Sequence, residues 1–262
     1  MRIYSISLCA VAGILEAAPK LCGVASQGGI LFGESDTHTV YFNGKSVSKD
    51  GTFAIGLGMD APEKVSVKFC PKGFFKSCES FEYAVRQRKW PEQKVNVPDK
   101  FISYPKETAD RIKRENKLIR AAREGWTDGA FFMEARPPLP LDSHKISGVF
   151  GSRRVFNGIP KNPHNGLDLA AAAGTQFGSI APGTVVLADD FYMTGKTVFI
   201  DHGNRIFSAY FHMKDIYVNV GDEVSAGTIL GEVGSTGRSS GPHLHLGIYW
   251  EHTALDPEFF IK

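Results

Sequence analysis

The N-terminal third of the chain contains short runs of alternating polar and apolar residues separated by turn residues. Residues 64–69 alternate in this way, which is typical of a half-buried β-strand. Residues 40–42 and 45–47 flank Asn43-Gly44, a dipeptide typical of a β-hairpin turn. Further strands are predicted at residues 52–57, 81–85 and 93–97. This spacing predicts a small antiparallel β domain over residues 26–100.

The spacing of apolar residues changes after residue 100, from the alternation of strands to the spacing of a helix. A stretch rich in Lys, Arg, Glu and Ala follows Pro105 and ends before Gly125, which predicts one helix over residues 106–124. Its many charges are typical of a solvated face. A proline-rich stretch at residues 135–140 then favours an extended linker, so residues 101–145 are interpreted as helix and linker. The apolar side chains expected near one helix face are Ile112, Leu118, Ile119 and Ala122.

From residue 146 onward, apolar runs alternate again with glycine turns. Strands are predicted at residues 184–188, 197–200, 208–211 and 228–231. The expected fold is therefore mostly β, with a C-terminal β-rich domain over residues 146–252 and a tail over residues 253–262. No glycine-rich phosphate loop leads into a helix, which argues against nucleotide binding.

Composition and charge narrow the function classes. Of 262 residues, 42% are hydrophobic and 22% are charged, which is enough apolar material for a core. The formal net charge of +2 argues against a dedicated nucleic-acid binder, which usually carries a strong basic excess. Nothing in the sequence indicates an oligomeric state.

The first 25 residues resemble a secretory signal. Arg2 precedes a short apolar run over residues 3–15, and small residues follow it. Cleavage after Ala17, Ala18 or Ala25 fits this pattern. An uncleaved anchor or a first buried strand is the alternative, but the run is too short to span a bilayer.

Four cysteines allow one local disulfide. Cys70 and Cys78 lie close together in a strand-rich region and would pair in an oxidising compartment, whereas two free buried thiols are the alternative. Cys9 and Cys22 lack the small-residue pattern that precedes a lipid-modified cysteine. The absence of a Cys-x-x-Cys motif argues against a cysteine-based zinc site.

Histidines are concentrated in the C-terminal half. Five of the eight lie between positions 164 and 245. His243 and His245 alternate along a predicted strand, so they share one face. Either both could bind one ion, or one could bind it while the other transfers protons. The pair alone is more often structural, and it needs support from other residues.

His164 and Asp168 supply that support. Imidazole and carboxylate are both good zinc ligands, and Gly166 lets the chain turn between them. Two histidines and one carboxylate would leave a fourth position for water, as in catalytic zinc sites. In this hypothesis the bound water attacks the scissile carbonyl of a peptide.

Hydrolysis also needs a proton acceptor. The sequence has no His-Glu-x-x-His motif, so the helix-borne glutamate of that protease class is absent. His212 and His243 are the remaining candidates, because imidazole titrates near neutral pH. We predict His243 as the base and His212 as its partner, while the opposite assignment stays open.

These motifs together resemble the LytM/lysostaphin-type zinc endopeptidases. The resemblance covers roughly residues 146–252, with every motif in family order, and Met213 stands where leucine is more usual. It rests on His164-x-x-x-Asp168, Tyr210-Phe211-His212-Met213, His243-Leu244-His245 and the glycine-rich segments 181–186 and 234–242.

The resemblance implies a function and roles for five residues. It implies a lysostaphin-like, barrel-sandwich-related catalytic domain in which His164, Asp168 and His245 bind Zn²⁺ and His212 and His243 are catalytic. The implied reaction is D,D-endopeptidase cleavage of peptidoglycan stem-peptide cross-links. The N-terminal β domain resembles, more loosely, those of Gram-negative members, which implies periplasmic residence and a meso-diaminopimelate-type cross-link.

Substrate-binding residues are predicted beside this site. Arg153 and Arg154 could face a peptide carboxylate or serve only as surface residues. Tyr210 could line the groove or simply pack.

Three alternative functions compete with this interpretation. Residues 218–230 resemble hairpins of biotinyl and lipoyl carrier domains, but no lysine stands at the required turn. A zinc amidase would use similar metal chemistry. A catalytically silent activator of other wall hydrolases is the third, although every ligand position is filled here.

Overall fold

The computed structural model describes residues 19–49, 51–73, 77–96, 104–125, 139–141 and 144–261. Most of the predicted secretory signal and most of the proline-rich linker lie outside these residues. Among the described residues, no helix has both the length and the apolar character needed to cross a bilayer. The chain is mostly β, as predicted, and its described residues include one α-helix, which lies between two β-rich regions.

The N-terminal region consists of two four-stranded antiparallel sheets. Its strands are β1 (Cys22–Gly23), β2 (Ile30–Glu34), β3 (His38–Phe42), β4 (Lys45–Ser46), β5 (Ser48–Lys49), β6 (Thr52–Gly56), β7 (Lys64–Pro71) and β8 (Glu79–Ala84). The strand orders are β1-β2-β6-β5 and β4-β3-β7-β8. Alternation along β7 buries Val65, Val67 and Phe69 and exposes the residues between them, as the sequence predicted. The sheet begins upstream of the boundary predicted at residue 26, because Leu21 is buried and β1 pairs with β2.

Two local features of this region follow from the sequence. Asn43 and Gly44 join β3 to β4 with φ values of 48° and 77°, the left-handed conformation that a two-residue hairpin turn requires. A disulfide joins Cys70 and Cys78, with an S–S distance of 2.06 Å.

The predicted strand near residues 93–97 lies elsewhere than expected. β9 (Glu92–Val95) leaves the N-terminal sheets and pairs in parallel with β11 (Arg153–Phe156), which also pairs with β12 (Ile159–Pro160). The two β-rich regions therefore share a small sheet, which a reading of local periodicity cannot reveal.

The predicted helix, α1 (Lys106–Ala121), is shorter than expected at its C-terminal end. It has no buried residue, but Ile112, Glu115 and Ile119 are half-buried along one face. Leu118, predicted on that face, is 55% exposed. Because α1 offers little apolar surface, its position depends on a few contacts with the C-terminal region.

The C-terminal region is built on one large antiparallel sheet and a three-stranded one. The large sheet has the order β10-β13-β21-β17-β16-β15-β19, with β22 beside β21, and the small one is β14-β20-β18. The strands are β10 (Lys145–Gly148), β13 (Leu167–Ala170), β14 (Gln176–Gly178), β15 (Gly183–Phe191), β16 (Gly195–Asp201), β17 (Ile206–Met213), β18 (Asp215–Ile216), β19 (Glu223–Val224), β20 (Ile229–Glu232), β21 (His243–Trp250) and β22 (Thr253–Leu255).

Residues 253–261, predicted as a C-terminal tail, are part of the folded C-terminal region. β22 extends the large sheet, a 3₁₀ turn follows at Pro257–Phe259, and Ile261 is 4% exposed. Asp256 is 1% exposed and accepts a 2.7 Å hydrogen bond from Arg88 of the N-terminal half. The boundary predicted at residue 253 is therefore wrong, because this segment packs against both regions.

Asp256→Ala should destabilise the protein by about 3 kcal/mol, because it leaves the partly buried Arg88 guanidinium without its carboxylate. The change is measurable by urea denaturation. Glu82→Ala is the matched control, since the Lys64–Glu82 ion pair is 67% and 65% exposed and should contribute less than about 1 kcal/mol. Equal effects for the two variants would contradict the proposed anchoring role of Asp256.

Candidate functional site

Three adjacent strands bring the predicted site together. The register places Asp168 of β13 opposite His245 of β21, and Phe211 of β17 opposite His245 on the other side. His243 and His245 share one face of β21, while the intervening Leu244 is fully buried in the core. Core packing of β21 therefore fixes the face on which both imidazoles lie.

Three donor atoms converge at this face. Asp168 Oδ1 lies 3.0 Å from His164 Nε2 and 2.8 Å from His245 Nδ1, and the two imidazole nitrogens are 3.1 Å apart. Among the described residues, these three form the cluster of potential metal-ligating groups. Segments 77 and 81 positions apart in sequence thus meet at one point.

The donor chemistry of this cluster fits a metal cation. His164 Nδ1 lies 3.0 Å from the Val149 carbonyl and donates to it, so Nε2 of the neutral ring carries a lone pair. That lone pair faces the Asp168 carboxylate, an arrangement that calls for a shared cation or a proton. Two imidazoles and one carboxylate are a ligand set of catalytic zinc sites.

The electrostatics keep the carboxylate ionised. Burial alone would raise the pKa of Asp168, but hydrogen bonds and charge interactions with His164 and His245 outweigh it and hold that pKa well below its ordinary value. Burial lowers the pKa of His245, which keeps its imidazole neutral. Ionised carboxylate and neutral imidazole are the forms that bind a metal.

Two glycines make room for the cluster. A Cβ atom at Gly148 would lie 2.3 Å from Asp168 Oδ2, and one at Gly166 would lie 2.5 Å from His245 Nε2. Gly166, predicted as a turn residue between His164 and Asp168, is therefore also required by the close approach of the His245 ring.

His212 and His243 lie beside the cluster with their rings 4.8 Å apart. His243 Nδ1 donates to the Gly241 carbonyl (2.8 Å), and its Nε2 is 3.7 Å from Asp168 Oδ1. His212 Nδ1 donates to the Thr236 carbonyl (2.8 Å), so each ring keeps its Nε2 lone pair. Burial lowers the pKa of His212 to about 4. His212 has a φ of 62°, a strained conformation for a non-glycine residue that re-aims its side chain at the end of β17.

All five predicted histidine and aspartate residues line one cleft of about 740 Å³. Its walls combine the polar cluster with aromatic side chains from the sheet and one residue from α1. Besides the five, the lining includes Ile119, Ser152, Asn162, Asn165, Met193, Phe199, Phe211, Arg238, Ser239 and Tyr249.

Of the predicted substrate-binding residues, neither Tyr210 nor Arg153 is among the described residues that line the cleft. Tyr210 is fully buried, stacks on Phe177, and its hydroxyl accepts from the Ile180 amide, so it packs in the core and a groove-lining role is wrong. Arg153 is exposed on β11. The side chain of Arg154 lies outside the described residues. The substrate roles of the two arginines stay predictions.

An aromatic support behind the cluster was missed by sequence reasoning. The Phe211 ring stacks on the His245 imidazole, with centroids 4.9 Å apart and parallel planes. Phe199 packs on both Phe211 and Tyr249, and Arg123, just after α1, lies 4.3 Å from the Tyr249 ring centroid. Alternation along residues 207–211 places Phe207, Ala209 and Phe211 on one face of the predicted strand. Only the pairing of β17 with β21 shows that Phe211 on this face lies opposite His245.

His202, which precedes β17 in the chain, is a buried core residue. Its Nδ1 donates to the Pro182 carbonyl (2.6 Å) and its Nε2 accepts from Ser208 Oγ (2.7 Å). Burial lowers its pKa from 6.5 to about 4, so the folded state favours the neutral ring.

The pH dependence of stability should therefore depend on His202. Between the two pKa values the unfolded chain binds a proton that the folded chain does not, so stability is full above the unfolded value and falls as pH falls. The loss is about 2 kcal/mol between pH 7 and pH 5. Urea titrations of His202→Asn should show a flatter slope than wild type, whereas His38→Asn should keep the wild-type slope. An unchanged slope in His202→Asn would refute this.

Comparison with known proteins supports the same assignment. Residues 162–257 match the model of peptidase family M23. The peptidoglycan DD-endopeptidase ShyA of Vibrio cholerae is 40% identical over 121 residues, covering 45% of this chain and 28% of the relative. The DD-carboxypeptidase/endopeptidase Mpg of Neisseria meningitidis is 37% identical over 106 residues, covering 40% and 24%. The match thus spans roughly a quarter of each curated relative.

The structural similarity extends further. A crystal structure from Pseudomonas aeruginosa assigned to peptidase M23 superposes with a TM-score of 0.70 at 27% identity, covering 90% of this chain and 95% of that one. The shared fold therefore includes the N-terminal β region. Together with the geometry of the cleft, these matches show that residues 162–257 are a LytM-type peptidase M23 domain.

Proposed function

We propose that this protein is a zinc-dependent endopeptidase that hydrolyses peptide cross-links of bacterial peptidoglycan. The observation that carries the proposal is the convergence of His164, Asp168 and His245 in a cleft that also contains His212 and His243. Three ligating groups with two imidazoles beside them are suited to hydrolysis of an amide bond.

His164, Asp168 and His245 would hold the zinc ion through Nε2, Oδ1 and Nδ1. When bound, zinc supplies Lewis-acid chemistry, because it lowers the pKa of water and polarises a carbonyl. The Val149 carbonyl orients the His164 ring, and Phe211 orients the His245 ring, so the donor atoms are positioned before substrate arrives.

The remaining histidines would move protons. His243 Nε2 accepts the proton of the attacking water and returns it to the leaving amine, while the Gly241 carbonyl fixes the tautomer through Nδ1. His212, held by the Thr236 carbonyl, would stabilise the negative charge that develops on the carbonyl oxygen. The roles of the two rings could be exchanged, and separate variants distinguish them.

The substrate class rests on the relatives. ShyA is named a peptidoglycan DD-endopeptidase and Mpg a DD-carboxypeptidase/endopeptidase. We propose the same D,D cross-link, of the meso-diaminopimelate type, for this chain, and residence in the periplasm or cell envelope. The Cys70–Cys78 disulfide is consistent with such an oxidising compartment.

The test is digestion of purified sacculi, followed by mass spectrometry of the new ends. New amines on peptide bridges support the endopeptidase. Freed lactyl carboxylates would instead indicate an amidase. Unchanged sacculi in the presence of the zinc-loaded protein would indicate a silent activator, and the proposal would be withdrawn.

A further inference from the structure

A second cavity, of about 380 Å³, lies beyond the C-terminal end of α1, where the helix meets both β-rich regions. Its walls come from β4 of the N-terminal region, from the end of α1, and from the β21–β22 turn of the C-terminal region. Four cationic side chains and two carboxylates line it, so the cavity has an excess of positive charge. The residues that matter here are Lys45, Arg120, Arg123, Arg205, Glu251 and His252.

The two carboxylates are already engaged. Glu251 pairs with Arg205 and lies 3.9 Å from Lys45. Glu124 lies 3.9 Å from Arg120. Neither carboxylate is within ion-pair distance of Arg123 among the described residues. Arg123 is therefore the cation of this cavity that pairs with no carboxylate among the described residues.

The Arg123 guanidinium is fixed in place but incompletely satisfied. Its Nε donates to the Ile119 carbonyl (3.3 Å), and its Cζ lies over the Tyr249 ring, 4.3 Å from the centroid. Its Nη1 is buried and has no hydrogen-bond partner among the described residues. Buried donors are rarely left unpaired, because their desolvation then goes uncompensated.

A second orphaned nitrogen lines the same cavity. His252 Nδ1 is buried and has no partner among the described residues. Arg123 Nη1 is a donor, and His252 Nδ1 donates in its Nδ1–H tautomer, so a ligand that reaches both nitrogens needs acceptor oxygens, with a negative charge to complement the guanidinium. A planar guanidinium positioned over an aromatic ring is suited to carboxylate or phosphate, which it can bind through two parallel hydrogen bonds.

We propose that this cavity binds an oxyanion, the carboxylate or phosphate group of a ligand, through Arg123 and His252, with Lys45 and Arg120 at its rim. The site adjoins the catalytic cleft, because Tyr249 lines the cleft and Ile119, one turn before Arg123, does too. It lies outside the three-residue metal cluster and contains none of its residues.

Isothermal titration calorimetry on the full chain tests the proposal, with inorganic phosphate and malonate as separate probes at constant ionic strength. Asp168→Asn is introduced into every protein, and metal is omitted, so that an anion bound to a metal does not contribute. Binding of phosphate alone, or of malonate alone, identifies which group the site prefers. The expected result is saturable binding of at least one anion with a stoichiometry of one.

Arg123→Gln should weaken that binding roughly tenfold or more, since it removes the charge-assisted donor. His252→Phe, which keeps a ring but loses Nδ1, should weaken it less, and Lys64→Gln, in an exposed ion pair of the N-terminal region, should leave it unchanged. If Arg123→Gln does not fold, His252→Phe and Lys45→Gln test the proposal instead, and both should bind the anion more weakly than the protein without these substitutions. No saturable binding of either anion, or equal affinity in all variants, would overturn the proposal without affecting the peptidase assignment.

Discussion

His245→Ala should lose zinc binding and hydrolysis together. The substitution removes one of the three converging donor atoms and leaves His164 and Asp168 facing each other without the third ligand. Because loss of a residue that merely supports a ligand weakens metal affinity about 10–100-fold, loss of a ligand should weaken it by more than about 100-fold. Metal analysis after dialysis, together with chelator competition, should show about one zinc per wild-type chain and far less in the variant.

The matched control for this variant is His38→Ala. His38 lies on β3 in the N-terminal region, outside the cleft, so its loss should change neither zinc content nor hydrolysis of sacculi. Thermal denaturation of both variants shows whether the fold is retained. A His245→Ala protein that kept stoichiometric zinc and normal digestion would exclude this residue as a ligand and with it the proposed site.

His243→Ala and His212→Ala should separate the two properties, because hydrolysis should be slowed while zinc is retained. Both should retain zinc, because their nitrogens are not among the three converging donors, but each should slow hydrolysis about 10²–10⁴-fold by removing a proton-transfer or charge-stabilising group. Steady-state rates on a soluble cross-linked muropeptide measure this.

The double variant adds a sharper criterion. If the two histidines act as a unit, as their 4.8 Å ring separation suggests, the double variant should be no slower than the slower single one. His144→Ala, outside the cleft, serves as the control. Normal rates in both single variants would show that the proton acceptor lies elsewhere in the cleft.

The sequence predicted those structural features that depend on residues close together in the chain. Alternation along β7, the Asn43-Gly44 turn and the start of α1 at Lys106 were all predicted, because each depends on neighbouring residues. Predictions failed where a distant segment decided the outcome. β9 left the N-terminal sheets for β11, and residues 253–261 joined the fold through β22 and Asp256.

Burial was the other property that the sequence did not predict. Tyr210 stands between candidate site residues in the sequence, yet β17 is buried along its length and the Tyr210 side chain lies on the core side. Phe211, its neighbour, is the residue that touches the site, through its stack on His245. A strand buried on both faces has no polar face to show which of its side chains points to the cleft.

The sequence by itself determined the donor types, their local spacing and the family that they resemble, since these properties depend on residue identity and order. Only the tertiary structure decided that His164, Asp168 and His245 meet within about 3 Å, that aromatic rings support them, and that Arg123 sits in a charged cavity behind those rings. The physical reason is that strand register and packing join segments some 80 residues apart, and no local pattern encodes that pairing.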